Sequence, residues 1–446
     1  MNKTTDEYID DFILEYALKI LNPTNIKSLV KKDSIKLNNI SNNNSKIYNP
    51  LTLDLGSGIP GLLYLANEIE KVYKIERDNT HMDFLIELLL NLLKEQNYYD
   101  PSLFGGLSGI GMALVSLKRS DLDSVIHQIN NLLYQLLDQF IADCSKDKYI
   151  GIRSIEFDWM YGFSGILNYL CFIFDSGLQD KFTINYIKKI QNFFINRFSL
   201  NTKINGNSIY PWYISKENQM TESDKKTFAF GNYNPSLSHG VAGYLQSLVK
   251  SETICPSNEV YILEQRLCDF LIQNCYNTES YPQWPLMIPI DDKFNIVKPT
   301  PLTRYDSWCY GTPGILSAIN KYAIVKQKRN LIDFCKKSFA FLNKDIRNIV
   351  GLTSPIICHG YSGLLMILKK HGEESHDFVP INPNIKDKIF SYYNKNLELG
   401  FFDKRYSNNS YLKVPDVGIL NGTTGILLAL IYNKYGDNSS WTKIFL

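Results

Sequence analysis

Apolar residues recur at three- and four-residue spacing through most of the chain, which is the pattern of amphipathic α-helices. Within this pattern one motif repeats, in which two glycines three residues apart are followed at once by a strongly apolar run. The longer segments between the copies carry one polar face. The pattern therefore predicts helix pairs, each with a buried glycine-led helix and an outer helix. The seven copies begin at Gly58, Gly106, Gly162, Gly240, Gly311, Gly360 and Gly422, and the six intervening segments are 84–95, 122–142, 184–198, 260–273, 330–343 and 385–397.

Seven copies in phase are far more specific than one, since a single pair of glycines often just lets two helices approach closely. No polar capping repeat is evident at the C-terminal end, which favours a closed ring over an open solenoid. We therefore predict an all-α fold, an α/α toroid with about seven inner and about seven outer helices, as a single domain over residues 1–446. Segments 201–237 and 276–307 are predicted insertions that form β-hairpins or long loops. The Asn- and Ser-rich segment 31–48 favours a surface loop.

Composition and charge narrow the function classes. With 44% hydrophobic and 21% charged residues, the chain has an ordinary globular composition. Its net charge of +2 gives no field that would attract nucleic acid, so we expect no nucleic-acid partner. The N-terminus lacks a secretion signal and no apolar run approaches the roughly 20 residues of a membrane span, so we expect a soluble, cytoplasmic protein. The eight cysteines lack paired short spacings and are expected to be thiols.

The two residues before each motif copy carry the candidate chemistry, because equivalent repeat positions in a closed ring point toward the same end. Cys309 and Cys358 hold the first of these positions in two neighbouring repeats, while His239 and His359 share the second position. Three adjacent repeats thus present two thiols and two imidazoles toward one mouth. The aligned pairs, in chain order, are Gly56-Ser57, Phe104-Gly105, Met160-Tyr161, Ser238-His239, Cys309-Tyr310, Cys358-His359 and Leu420-Asn421.

Two cysteines and one histidine are a familiar catalytic zinc set, which leaves the fourth coordination position open. Cys309, Cys358 and His359 match that set and predict one Zn²⁺ per chain. His239 is either a fourth ligand, which would make the zinc structural, or a free imidazole beside an open position, the usual catalytic arrangement. Most of the other cysteines read as small buried hydrophobes, whereas Cys144 and Cys255 are expected to be partly exposed.

Three of the motif copies resemble the signatures of the lanthionine synthetase C-like family. They are WCYGTPG at 308–314, CHGYSG at 358–363 and SHGVAG at 238–243. The seven glycine pairs extend this resemblance over most of the chain. The resemblance implies an α/α toroid in which zinc is held by the Cys of WCYG and by the Cys-His pair of CHG. Here those residues would be Cys309, Cys358 and His359.

The resemblance also implies a reaction and its acid/base residues. The chain resembles the stand-alone cyclases of lantibiotic biosynthesis, which close (methyl)lanthionine thioether rings on a peptide whose Ser and Thr were first dehydrated. His239 of SHG and Asp158 of DWMYGFSG would be the acid/base residues, although Asp158 read by itself could be a helix cap. Arg304 is the candidate for a family arginine upstream of WCYG, in an uncertain register. The aromatic insertion 201–237 is a hypothetical binding site for the leader segment of the peptide.

The implied partners are a dehydrated precursor peptide with its leader, a separate dehydratase and an ABC transporter. Such a complex would hold the cytoplasmic protein at the inner face of the membrane. Three alternatives stay open: a zinc toroid like the protein prenyltransferases, an α/α-barrel glycoside hydrolase, and a non-catalytic zinc- or glutathione-binding scaffold. The prenyltransferase alternative requires a basic diphosphate pocket, and the hydrolase requires a pair of carboxylates. CHG beside WCYG argues against the prenyltransferase, and no pair of carboxylates stands at the two positions before the motif copies.

Overall fold

Helices dominate the described part of the chain. A computed structural model describes residues 5–30, 51–75, 81–96, 98, 100–146, 150–204, 206–277, 281–298, 304–375, 380–407 and 410–446, so the predicted loop 31–48 lies outside the described residues. The α-helices are α1 (Thr5–Leu21), α2 (Pro23–Val30), α3 (Ile59–Tyr73), α4 (Met82–Glu95), α5 (Leu107–Ser116), α6 (Asp123–Lys146), α7 (Phe163–Asp175), α8 (Thr183–Phe198), α9 (Glu222–Thr227), α10 (Val241–Ile254), α11 (Asn258–Gln273), α12 (Thr312–Val325), α13 (Arg329–Lys344), α14 (Tyr361–Glu374), α15 (Pro383–Phe390) and α16 (Thr423–Tyr435).

Short antiparallel strand pairs accompany the helices. Both predicted insertions contain strands, and they pair with each other through β3 and β6. A further hairpin, β7–β8, lies where the sequence pattern predicted no strand. The strands are β1 (Thr202–Ile204), β2 (Asn207–Ile209), β3 (Asn232–Tyr233), β4 (Tyr276–Asn277), β5 (Pro282–Gln283), β6 (Ile288–Pro289), β7 (Asp403–Ser407) and β8 (Ser410–Val414).

Each glycine pair begins a helix, as the sequence predicts. Helices α3, α5, α7, α10, α12, α14 and α16 all start at the residue after the first glycine. Their first turns are buried almost completely, whereas α4, α6, α8, α11 and α13 alternate buried and exposed positions. The last intervening helix, α15, is the exception. The sequence pattern predicts it over 385–397, but it ends at Phe390. There Asn394 accepts the backbone N–H of Asn396 at 3.0 Å, an Asx turn that competes with helical bonding.

Both glycines of a pair are required by close approaches, which repeat four illustrates. A Cβ at Gly240 would lie 2.2 Å from the carbonyl oxygen of Asn234, inside the turn that precedes α10. A Cβ at Gly243 would lie 2.9 Å from the Cβ of Trp159, in the preceding repeat. The first glycine therefore lets the turn close, and the second lets neighbouring repeats pack closely and also avoids the carbonyl oxygen of Leu237 in its own turn.

The chain divides into two compact units. One comprises Met1–Tyr98, Ser116–Arg119 and Leu352–Phe445, and the other comprises Tyr99–Val115, Ser120–Gly351 and Leu446. The second unit contains repeats two to five, and α10 packs on both α7 and α12. The single domain that we predict over residues 1–446 stays a prediction.

In the first unit, the last repeat packs directly on the first. Helix α16 contacts α3, and the backbone N–H of Leu420 donates to the carbonyl oxygen of Gly56 at 3.0 Å. Helix α1 holds the two helices together from outside, since Asp10 accepts the hydroxyls of Tyr73 at 2.9 Å and Tyr435 at 2.8 Å. The chain therefore returns to its first repeat at its end.

Candidate active site

The turn before each inner helix is built in nearly the same way. In repeat four, the side chain of Asn234 accepts the N–H of Ser236 at 2.9 Å, and Ser236 Oγ accepts the N–H of His239 at 3.2 Å. The residue after the first glycine donates its N–H to the carbonyl seven positions earlier. This bond recurs in six repeats: Ile59 to Thr52, Leu107 to Asp100, Val241 to Asn234, Thr312 to Tyr305, Tyr361 to Ser354 and Thr423 to Asp416.

Backbone hydrogen bonds also join equivalent turns of successive repeats. Met160 N–H donates to the carbonyl oxygen of Ser238, and Ser238 N–H donates to that of Cys309, each at 3.3 Å. In the first unit, Cys358 N–H donates to the carbonyl oxygen of Leu420 at 3.1 Å. All five residues lie two positions before a first glycine. The backbone thus fixes Cys309 and Cys358 at equivalent positions of their repeats.

The three residues of the predicted zinc set belong to both units, Cys358 and His359 to the first and Cys309 to the second. Proteins hold zinc by Cys sulfur at about 2.3 Å and by His nitrogen at about 2.0–2.1 Å, and three protein ligands leave the fourth position open. Two thiols and one imidazole are also the soft donors that zinc prefers. The residues fit a zinc ion, and their role as its ligands stays a prediction.

A buried carboxylate orients one of these candidate ligands. His359 Nε2 lies 3.2 Å from Oδ1 of Asp403, whose side chain is fully buried at the start of β7. Asp403 also accepts a hydrogen bond from Ser354 Oγ at 2.8 Å and one from Arg405 Nε at 2.6 Å. Burial raises the pKa of Asp403, but its bonds to His359, Arg405 and Ser354 outweigh burial and hold that pKa below its ordinary value.

His239 is held by the second predicted acid/base residue. Its Nδ1 lies 2.6 Å from Oδ2 of Asp158, which is fully buried. The other carboxylate oxygen of Asp158 accepts the backbone N–H groups of Met160 at 2.5 Å and Tyr161 at 2.8 Å. Asp158 is therefore both a turn cap and the partner of His239. With Nδ1 engaged, Nε2 is the nitrogen that remains for a substrate proton.

Two tyrosines flank the imidazole. The ring of Tyr161 stacks on His239 with centroids 5.9 Å apart, and the ring of Tyr310 lies at the same distance in a tilted orientation. Burial lowers the pKa of His239, but the charge and hydrogen bond of Asp158, with a smaller effect of Cys309, raise it above its ordinary value. The side chain keeps 14% of its surface exposed, so a substrate can reach it.

Arg304 is engaged by a neighbouring carboxylate. Its Nε and one terminal nitrogen donate to the two oxygens of Asp306 at 3.1 and 2.7 Å, and the guanidinium lies 4.4 Å from the ring centroid of Tyr281. The same terminal nitrogen donates to the carbonyl oxygen of Asn348. The ion pair lies within the second insertion, and its hydrogen bonds to Asn348 and from the N–H of Val350 link the insertion to the segment after α13. Its catalytic role stays a prediction.

The eight cysteines all lie in the described part of the chain and are thiols rather than disulfides, as expected from their spacing. The prediction of partial exposure is wrong for Cys144 and Cys255, which are 7% and 5% exposed. Cys255 follows α10 directly, and its carbonyl oxygen accepts the side-chain amide of the buried Gln191 at 3.1 Å. The carbonyl group at the end of α10 is therefore buried with its partner, and Cys255 is buried with it.

A comparison of the sequence with known families decides the membership of the chain. The sequence model of the family described as lanthionine synthetase C-like protein matches residues 49–446. The chain belongs to this family. A curated relative, the nisin biosynthesis protein NisC of Lactococcus lactis subsp. lactis, is 27% identical over 438 residues, which cover 95% of this chain and 96% of the relative.

A solved structure confirms the fold class of this family member. Nisin cyclase superposes with a TM-score of 0.71 at 21% identity, over 100% of this chain and 98% of the other. The predicted all-α class, an α/α toroid with small β insertions, is therefore confirmed. The predicted enzyme class, a lanthionine cyclase, is confirmed by the family and by the relative. Among the described helices, none is both long and apolar enough to cross a membrane.

The sequence reasoning missed two kinds of residue in this lanthionine synthetase C-like chain. Asp403 contacts His359 although 44 positions separate them, and it lies outside the glycine-pair motifs. Tyr161 and Tyr310 stand among the aligned pairs, at the repeat position of His239, but the pattern assigned them no role. Aligning the repeat positions thus identifies residues in the turns before the inner helices, but it cannot identify a residue that a hairpin supplies.

Proposed function

We propose that this chain is a zinc-dependent lanthipeptide cyclase, which forms (methyl)lanthionine rings by Michael addition of peptide cysteine thiolates to dehydroalanine or dehydrobutyrine. The observation that carries the proposal is the buried Asp158–His239 pair, whose imidazole lies one position after Ser238, the residue hydrogen-bonded to Cys309. A proton-transferring group and a candidate zinc ligand thus come from adjoining turns. Membership in the family supports the same reaction.

The proposed zinc ligands are Cys309, Cys358 and His359. A free peptide thiol has a pKa of about 8.5, so only a small part of it is thiolate near neutrality. Zinc bound by these three residues would deprotonate that thiol at its open coordination position. The protein supplies the fixed ligands, since Cys309 accepts a backbone hydrogen bond from the preceding repeat and Cys358 donates one to the following repeat.

His239 is the proposed proton carrier. When the sulfur adds to the β-carbon, a carbon–sulfur bond forms and the α-carbon must gain a proton. The imidazole can hold that proton at Nε2, because Nδ1 donates to Asp158 and the carboxylate stabilises the protonated ring. Asp158 is itself fixed by two backbone N–H groups, so the imidazole has one orientation. We also propose Arg304 as a third catalytic residue beside His239 and Asp158, although its guanidinium contacts Asp306.

The proposed substrate is a dehydrated precursor peptide that carries a leader. The curated relative is named for nisin biosynthesis, and its likeness supports a peptide substrate of that class. A separate dehydratase would supply the dehydrated residues, and an ABC transporter would export the product from a complex at the inner face of the membrane. The protein would act in the cytoplasm, without nucleic acid. Family membership does not favour the prenyltransferase, glycoside hydrolase or scaffold alternatives.

Ring closure can be measured through the thiols of the peptide. Cyclisation leaves the peptide mass unchanged, so the test incubates a dehydrated precursor peptide with the protein, alkylates the remaining thiols and counts the alkyl groups by mass spectrometry. The proposal expects alkylation to disappear with the zinc-loaded protein and to persist after chelation of the metal. Full alkylation in the presence of a zinc-loaded, folded protein would refute the proposed activity for that peptide class.

A further inference from the structure

The hairpin β7–β8 brings a fully buried carboxylate against a candidate metal ligand. Asp403 Oδ1 lies 3.2 Å from His359 Nε2, and the side chain of Asp403 has no exposed surface. Strands β7 and β8 are paired over five residues on each side, from Asp403 opposite Val414 to Ser407 opposite Ser410. The position of Asp403 is therefore set by a hydrogen-bonded element rather than by a loose loop.

Burying this carboxylate is costly, and the surrounding residues compensate for the cost. An ionised carboxylate loses its hydration when it is buried, and pairing with a cation and hydrogen bonds must compensate for that loss. Ser354 and Arg405 supply a hydroxyl donor and a cation, and Arg405 also lies 3.5 Å from Asp416. Ser354 belongs to the turn before α14, the same turn that carries His359. Oδ1 of the carboxylate thus contacts the turn that carries His359, while Oδ2 is paired with Arg405 on the same strand.

We propose that Asp403 is a positioning residue for His359. Its Oδ1 accepts the Nε2 proton of the imidazole, which fixes the tautomer in which Nδ1 offers its lone pair to the metal. The carboxylate also makes the imidazole a stronger electron-pair donor toward a metal ion. The proposal rests on the metal site proposed above, and it assigns to the β7–β8 hairpin the task of orienting one ligand.

Zinc affinity, measured by competition with a chelator on the full chain, tests this role without any activity assay. Asp403→Asn keeps the size of the side chain and its capacity to accept from Ser354, but removes its charge. We expect its zinc affinity to fall about 10- to 100-fold, as for other carboxylate partners of metal-bound histidine. The matched control is Asp387→Asn, at an exposed carboxylate of α15 in the same unit, which should bind zinc like the wild type. An Asp403→Asn protein with wild-type zinc affinity would overturn the proposal.

A second measurement needs no variant at Asp403, in case that variant does not fold. In the zinc-loaded wild-type protein, nitrogen-15 NMR of the His359 ring should show a protonated Nε2 and an unprotonated Nδ1. A proton on Nδ1 instead would contradict the proposal. Arg405→Gln leaves Asp403 in place but removes its cation, and should weaken zinc binding less than Asp403→Asn does.

Cys358→Ala separates the two proposals. If Cys358→Ala keeps its full zinc content, the metal site itself is wrong, and so is a positioning role toward it. If Cys358→Ala loses zinc while Asp403→Asn binds it with wild-type affinity, only the positioning role fails.

Discussion

His239 Nδ1 and Asp158 Oδ2 lie 2.6 Å apart although 81 positions separate the two residues in the chain. Each residue lies in the turn before a glycine pair, and the two turns are joined by the hydrogen bond from Met160 to Ser238. The two interpretations of Asp158 from sequence, a cap and a catalytic partner, are both compatible with this geometry. One oxygen bonds the backbone of its own turn, and the other contacts the imidazole.

Asp158→Asn should abolish most ring formation while leaving the fold intact. Asparagine caps a turn about as well as aspartate, so the bonds to Met160 and Tyr161 can persist. The charge beside His239 is lost, and we expect the cyclisation rate to fall by about 10²–10⁴-fold, as for a lost general acid or base. The measurement is the rate of thiol loss, with melting temperature recorded on the same sample.

The chain contains its own control for this substitution. Asp54 stands four residues before the first glycine of repeat one, the repeat position of Asp158, and accepts the N–H of Ser57 at 2.7 Å. Asp54→Asn should therefore leave both cyclisation and melting temperature close to wild type. Equal loss of activity in both variants would indicate that only the turn matters and that the charge beside His239 does not.

Cys309→Ala and Cys358→Ala should each lose most of the bound zinc. Removing one of three protein ligands takes away a thiolate that the remaining donors cannot replace. The fold should survive, because packing between repeats supplies most of the stability of such a chain. Metal analysis of the purified variants checks this, with Cys335→Ala, a buried thiol on α13, as the control. Full zinc content in both ligand variants would exclude the assignment.

Arg304→Gln should lower the melting temperature strongly. The change leaves the fully buried carboxylate of Asp306 without its cation, and breaking such a pair typically costs about 3–5 kcal/mol. The double variant Arg304→Gln/Asp306→Asn removes the unpaired charge and should recover much of the stability. Thermal unfolding and cyclisation are then compared. Recovered activity would make Arg304 structural, whereas a stable but inactive double variant would support its catalytic role.

Glu264 makes the stability of the protein depend on pH. Burial raises its pKa from an ordinary 4.5 to about 7, despite the ion pair with Lys326 at 2.9 Å. The folded protein therefore holds this proton more tightly than the unfolded chain does. Its contribution to stability falls as pH rises from 4.5 to about 7, and the loss is complete above that range.

Replacing Glu264 with glutamine should remove that dependence. The difference in melting temperature between Glu264→Gln and the wild type should be more favourable to the variant at pH 8 than at pH 5. Burial penalises only the ionised carboxylate of the wild type, and that form is present at pH 8. Asp269→Asn, at an exposed carboxylate of the same helix, is the control and should show no such difference. A Glu264→Gln shift that is equal at both pH values would show that the carboxylate is not the cause.

The repeat pattern predicted the inner helices well, because a glycine pair followed by an apolar run has a direct physical cause in close packing. At Gly240 and Gly243, neighbouring atoms lie so close that a Cβ would not fit, which no other residue avoids. The alignment of the repeats also identifies Cys309, Cys358 and His359 as candidate ligands from sequence alone. Local patterns fail in the segment after α15, where the helix ends at Phe390 and an Asx turn follows at Asn394.

Contacts made by irregular segments could not be predicted. Asp403 reaches His359 only because β7 pairs with β8, and neither strand has a strong alternating pattern. Arg304 was assigned from its distance to a motif, whereas its orientation depends on the buried Asp306 and the ring of Tyr281. Such contacts depend on tertiary placement, which sequence spacing does not encode.

Zinc content and ring formation, measured together on His239→Asn, test the central claim most directly. If the bound metal activates the peptide thiol while His239 carries the proton, this variant keeps near-wild-type zinc but forms rings about 10²–10⁴-fold more slowly. A His239→Asn protein that loses its metal would make His239 a fourth ligand and the zinc structural, which contradicts the catalytic account. Undiminished ring formation with full zinc content would equally contradict the role of His239.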